Sequence, residues 1–145
     1  MPEIEQGPIR PPSEAQSLLL RVTRNCSWNR CEFCHIYKGK RFGLRTVAEV
    51  KKDIDAVKAI VSEIRALSWN MGCGGDINAS VVRAVLHGPD PCPEGYRSVM
   101  LWLYRGGADV FLQDAHNLAH RTKDLVEILS HLKETFPSVR RITTY

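Results

Sequence analysis

Three short apolar runs, separated by segments with helical periodicity, constrain this chain more than any other feature. The first, Leu18-Leu19-Leu20-Arg21-Val22, lies in a strand over residues 17–23 that is nearly continuous in apolar character, as suits a strand buried on both faces. Val47, Val50, Ile54, Val57, Ile60, Val61, Ile64 and Leu67 then recur at helical spacing. Thr46-Val47-Ala48-Glu49 has the form of a capping box in front of them, which predicts one amphipathic helix over 46–67. Asp109-Val110-Phe111-Leu112-Gln113 reads as the second strand. Thr122 is placed to cap the next helix, in which Leu125, Ile128, Leu129, Leu132 and Phe136 share a face and which Pro137 stops. Arg141-Ile142-Thr143-Thr144-Tyr145 begins a third strand. Strands alternating with helices imply an α/β fold with a parallel sheet and right-handed crossovers.

Two stretches stand outside that alternation. Residues 1–16 are rich in Pro and Glu, and Ile9-Arg10-Pro11-Pro12 is barred from the helix by its prolines. They form an extended lead-in across a domain that occupies 17–145. Residues 68–107 read as an irregular insertion. Gly72-Cys73-Gly74-Gly75-Asp76 is a loop. Val81, Val82, Val85 and Leu86 suggest a short helix ended by Gly88, and Val99-Met100-Leu101-Trp102-Leu103 is a helix or a strand.

The loop after the first strand holds the chemistry. Cys26, Cys31 and Cys34 are spaced C-x4-C-x2-C, at the C-terminal end of a strand, where parallel α/β folds place their sites. Thiolates are soft ligands that select iron–sulfur clusters, zinc or copper(I). A closed structural site takes four protein ligands, so three leave one metal position open. Three readings follow from the spacing: a cubane held at three irons, with Phe33 shielding one side and the fourth iron free to chelate an amine and a carboxylate; a zinc knuckle with His35 as fourth ligand; or unligated thiols. Cys73 and Cys92 have no C-x2-C partner and read as free thiols, with an auxiliary site as the alternative. Five cysteines are an odd number, which argues against a disulfide framework.

Composition narrows the setting. Hydrophobic residues at 43% and charged residues at 25% are the balance of a globular domain. Apolar runs of a few residues leave no membrane-spanning helix, and Met1-Pro2-Glu3-Ile4-Glu5-Gln6 has neither the basic start nor the apolar core of a secretory signal. A cytoplasmic location, with thiols reduced, is expected. The net charge of +4 is uneven. From Arg21 to Lys52 the basic residues Arg21, Arg24, Arg30, Lys38, Lys40, Arg41, Arg45, Lys51 and Lys52 face only Glu32 and Glu49, with Trp28, Phe33, Tyr37 and Phe42 interleaved. Such a stretch is either a solvated loop beside an anionic cluster or a surface for RNA or another polyanion.

The run Leu19-Leu20-Arg21-Val22-Thr23-Arg24-Asn25-Cys26-Ser27-Trp28-Asn29-Arg30-Cys31-Glu32-Phe33-Cys34 resembles the cluster loop of radical S-adenosylmethionine proteins, in the branch with an elongator-like core. Ile9-Arg10-Pro11-Pro12-Ser13-Glu14-Ala15 resembles its lead-in. Val110-Phe111-Leu112-Gln113-Asp114-Ala115-His116-Asn117-Leu118 and Arg141-Ile142-Thr143-Thr144-Tyr145 resemble its second and third strands. Most of the family spaces its thiols C-x3-C-x2-C, and the first gap here is four. The resemblance implies a [4Fe–4S] cluster on Cys26, Cys31 and Cys34, with S-adenosylmethionine on the fourth iron. One electron, from a reductase or a ferredoxin- or flavodoxin-type donor, would release a 5′-deoxyadenosyl radical that attacks a substrate the sequence does not specify. The backbone near Phe33 would lie by the adenine. Where the family often has Gly-Gly-Glu, this chain has Gln113-Asp114-Ala115, which makes Asp114 the expected acceptor for the methionine amino group. His116 is either a pocket residue or a surface histidine.

Length sets a further expectation. A strand–helix unit of a (β/α) barrel takes roughly 30 residues. The chain therefore supplies two units and the start of a third, a partial parallel-sheet barrel truncated after its third strand: a truncated gene, a partial read, or half of a split protein that a second chain completes. Beside this radical-enzyme reading stands a zinc-knuckle nucleic-acid-binding module using residues 21–52.

Overall fold

The computed structural model describes residues 2–145. Its centre is a three-stranded parallel sheet: β1 (Leu18–Arg21), β4 (Asp109–Gln113) and β5 (Arg141–Thr144), in the order β1-β4-β5. Leu18 pairs with Val110 and Val110 with Ile142, so the three strands run in register. After β1 the chain makes a small antiparallel pair, β2 (Thr23–Arg24) with β3 (Gly43–Leu44), which closes the base of the cysteine loop. Three strands form no closed barrel, and the class is mixed α/β.

Helix α1 (Val47–Asn70) follows β3. Its capping box is complete: Thr46 Oγ1 accepts from the Glu49 N–H at 3.2 Å, and Glu49 Oε2 accepts from the Thr46 N–H at 2.7 Å. The helix runs a turn past Leu67, because nothing in the sequence breaks it before Gly72. There Gly72 takes φ +77°, and the amides of Gly72 and Cys73 return to the carbonyls of Trp69 and Ser68, closing the helix with a Schellman motif. The stripe Val50, Ile54, Val57, Ile60, Val61 and Ile64 is buried against Leu18, Leu20 and Val22, while Leu19 and Phe111 point to the opposite face of the sheet.

The stretch 68–107 is more regular than its sequence suggests. The Asn78 side chain caps α2 (Ala79–Leu86) by accepting from the amides of Ser80 and Val81. Pro93 precedes α3 (Glu94–Tyr104). Val81, Val99, Met100 and Trp102 enter the same core as α1, and Trp102 meets Phe136 edge to face at 5.3 Å. The ambiguous run 99–103 is therefore helical, since tertiary burial of one face decides what period alone leaves open. Helix α4 (Thr122–Thr135) packs beside α1. Thr122 is its first residue and not its cap: Arg121 holds the cap position and gives no side-chain hydrogen bond. No helix among the described residues is long and apolar enough to cross a membrane.

Candidate functional site

The cysteine loop joins β2 to β3 at the C-terminal rim of the parallel sheet, and one buried carboxylate holds it there. Asp114, the residue after β4, is fully buried. Its Oδ2 accepts from the Asn25 N–H at 2.8 Å and from Arg21 Nε at 2.8 Å, and its Oδ1 accepts from the Tyr37 hydroxyl at 2.9 Å. Asn25 begins the cysteine loop and Tyr37 follows its last thiol, so a single side chain clamps both stems. Asp114 and Asn25 both have φ near +70°, a left-handed conformation that Asp and Asn tolerate better than most residues. Burial, with the Asp114 carboxylate beside it, pushes the Tyr37 hydroxyl well above the usual range, so it stays protonated and donating.

Two asparagines stitch the limbs of the loop together. Asn25 Nδ2 donates to the Arg41 carbonyl at 2.6 Å and Asn29 Nδ2 to the Lys40 carbonyl at 3.0 Å. Cys26, Cys31 and Cys34 are free and half-buried along this loop. The Cys34 thiol is drawn toward the thiolate by the backbone amides of Tyr37 and Ile36, with the Lys38 amide and ammonium adding to them. As a donor set, three reduced thiols with one pulled toward ionisation fit a soft metal. Among the described residues, no three His, Cys, Asp or Glu side chains already converge on a common metal position. Phe33 is 87% exposed and Trp28 64% exposed, with Arg30 stacked 5.4 Å over the indole. His35 is exposed and belongs to no such group. His116 is exposed too, packing on Phe42 and hydrogen-bonding Ser27 through Nδ1.

Neither residue expected to meet the methionine moiety is free to do so in this arrangement. Both carboxylate oxygens of Asp114 are occupied by the loop and by Arg21. Gln113 is buried, and it treats the lead-in as a neighbouring strand. Its Oε1 accepts from the Gly7 N–H at 2.8 Å, and its Nε2 donates to the carbonyls of Gly7 at 3.3 Å and Ile9 at 3.1 Å. Gly7 lies so close that a Cβ there would come within 2.5 Å of Asp114 Oδ1.

The basic stretch is likewise partly spent inside the molecule. Glu5 of the lead-in meets Arg24 at 2.7 Å and Arg21 at 3.1 Å, and Arg45 Nε lies 3.4 Å away without the alignment of a hydrogen bond. Arg45, nearly buried, also pairs with Asp53 at 2.6 Å. Lys51 reaches Glu127 at 2.7 Å. Arg30, Lys38, Lys40, Arg41 and Lys52 remain exposed. Sequence reading passed over Glu5 altogether, and it placed Arg21, Asn25 and Tyr37 in the loop and the basic stretch without the clamp they form with Asp114. The available signal was the glutamates of the lead-in set against a run rich in arginine.

The Arg24 guanidinium holds Glu5 below the usual carboxylate range, and the Thr46 backbone N–H holds Glu49 down at about 2. A carboxylate depressed in the folded state stabilises the fold above its ordinary value of 4.5, and that contribution is lost as pH falls through the folded value. The urea midpoint should therefore stay level from neutral pH to about 5 and decline between about 4.5 and 2. Glu49→Gln and Glu5→Gln should each flatten that decline. An unchanged acid limb in both variants would refute the assignment.

No family model, no curated protein and no solved structure matches this chain.

Proposed function

We propose that the chain is the N-terminal part of a radical S-adenosylmethionine protein, its parallel sheet the start of a partial (β/α) barrel. Cys26, Cys31 and Cys34 hold a [4Fe–4S] cluster, and S-adenosylmethionine takes the open iron. The observation that carries the reading is the placement of three free, half-buried thiols on one loop at the C-terminal rim, both stems of which are tied to Asp114. When bound, such a cluster supplies the single electron that breaks the sulfonium of the nucleoside. The chain's own contribution is to keep the loop stems in place, to favour the Cys34 thiolate through the backbone amides of Tyr37 and Ile36, and to offer Phe33 as an apolar screen. Gln113 and Asp114, the residues expected to meet the methionine moiety, would do so only by releasing their present partners: Gly7 and Ile9 for the first, Arg21, Asn25 and Tyr37 for the second. An electron donor, a substrate of unspecified class and a second chain extending the sheet beyond β5 complete the proposal.

Anaerobic reconstitution with iron and sulfide tests it. About four irons and four sulfides per chain are expected, the composition of the cluster, with a charge-transfer absorption that shifts on adding S-adenosylmethionine. Stoichiometric zinc without sulfide would overturn it. That result would favour a second reading, a zinc-bearing polyanion-binding loop, which rests on exposed Trp28 and Phe33 beside Arg30, Lys38, Lys40 and Arg41.

A further inference from the structure

A concavity of about 350 Å³ opens between the lead-in, Leu19 of β1 and the first turns of α3, lined in part by Gln6, Arg10, Arg97 and Leu101. Its chemistry is one-sided. Among the described residues no carboxylate lies within 4 Å of the Arg10 or Arg97 guanidinium, and neither donates a side-chain hydrogen bond. Helix α3 starts at this wall with Pro93 at its cap position and no side-chain cap, so its first amides are also unclaimed by a capping group and add a weak positive potential. Glu94 lines the same cavity, so two arginines stand there against one acidic residue. Leu19 and Leu101 give the cavity an apolar side.

We propose that this cavity binds a small organic oxyanion, a carboxylate or phosphate on a short apolar body. Arg10 and Arg97 pair with the anion, and Leu19 and Leu101 cover the body. Guanidinium groups suit both anions because their paired N–H groups match two oxygens at once. The site shares no ligand with the cysteine loop and does not depend on a cluster being present. The lead-in supplies Gln6 and Arg10 here while Glu5 and Gly7 hold the rim, so ligand and loop are bound to opposite sides of one short segment.

Calorimetric titration of the full chain with phenyl phosphate and, separately, with phenylacetate at low ionic strength tests the proposal. At least one probe should bind with a Kd below about 1 mM, and the tighter of the two identifies the anion. Arg10→Ala and Arg97→Ala should each weaken binding roughly tenfold, the usual effect of losing one charged hydrogen bond. Arg83→Ala, on an exposed position of α2, should leave it unchanged. Amide shift changes in the unaltered protein should fall on 6–19 and 92–101. Failure of both probes to bind with a Kd below about 1 mM, equal weakening by Arg83→Ala, or binding that persists in both cavity variants would overturn the assignment.

Discussion

Replacing Asp114 by alanine is expected to cost about 3–5 kcal/mol, the usual consequence of removing one member of a buried ion pair. The loss would leave Arg21 Nε, the Asn25 amide and the Tyr37 hydroxyl without their acceptor, all at the rim and two of them on the stems of the cysteine loop. Against a total domain stability of about 5–15 kcal/mol, such a change removes a large share of the whole. Asp114→Asn keeps an acceptor oxygen for the Asn25 amide and gives up the charge opposite Arg21, so it should cost less, roughly 1–3 kcal/mol. Urea unfolding of the metal-free protein measures both. An alanine variant within about 1 kcal/mol of the parent would mean that Asp114 does not hold the rim together. Hydrogen exchange separates a local from a global effect, since the clamp predicts lost protection across residues 25–37 before the protected amides of α1 respond.

The second large effect concerns the thiols themselves. Converting Cys26, Cys31 and Cys34 together to alanine should abolish iron and sulfide uptake, whereas a Cys73/Cys92 double alanine variant should retain it in full. Stability should change little in the triple variant, because the three side chains are half-buried and neither the Asp114 clamp nor the Asn25 and Asn29 bonds use their sulfurs. A graded reactivity should accompany this. In the metal-free protein Cys34 should react with iodoacetamide faster near neutral pH than Cys73 or Cys92, because the amides of Tyr37 and Ile36 favour its thiolate. Mass mapping after a short pulse reads the order. Equal labelling of Cys34, Cys73 and Cys92 would remove the argument that the loop prepares a ligand, and undiminished iron in the triple variant would remove the proposed site.

What the amino-acid order determined by itself is what short-range physics controls. The period of Val50, Ile54, Val57, Ile60, Val61 and Ile64 and the Thr46–Glu49 box specify α1, because a helix buries one face at fixed spacing and closes its first turn locally. The apolar runs at 18–22, 109–113 and 141–145 specify strands, and their alternation with helices specifies parallel pairing. The nine-residue spread of three cysteines was visible as a donor set. Tertiary structure alone decided the rest. The β2–β3 pair has two residues a side, too few for any period to show. Trp102 is drawn into the core by Phe136, and only that burial makes 99–103 a helix. Asp114 looked like a ligand-facing acid at a strand end, and Gln113 like its neighbour in the same role. The fold instead brings Arg21, Asn25 and Tyr37 to the first and the lead-in backbone to the second, from positions tens of residues away along the chain. A buried carboxylate is governed by whichever donors the packed chain delivers to it, and that delivery is a property of long-range contacts that no local pattern encodes.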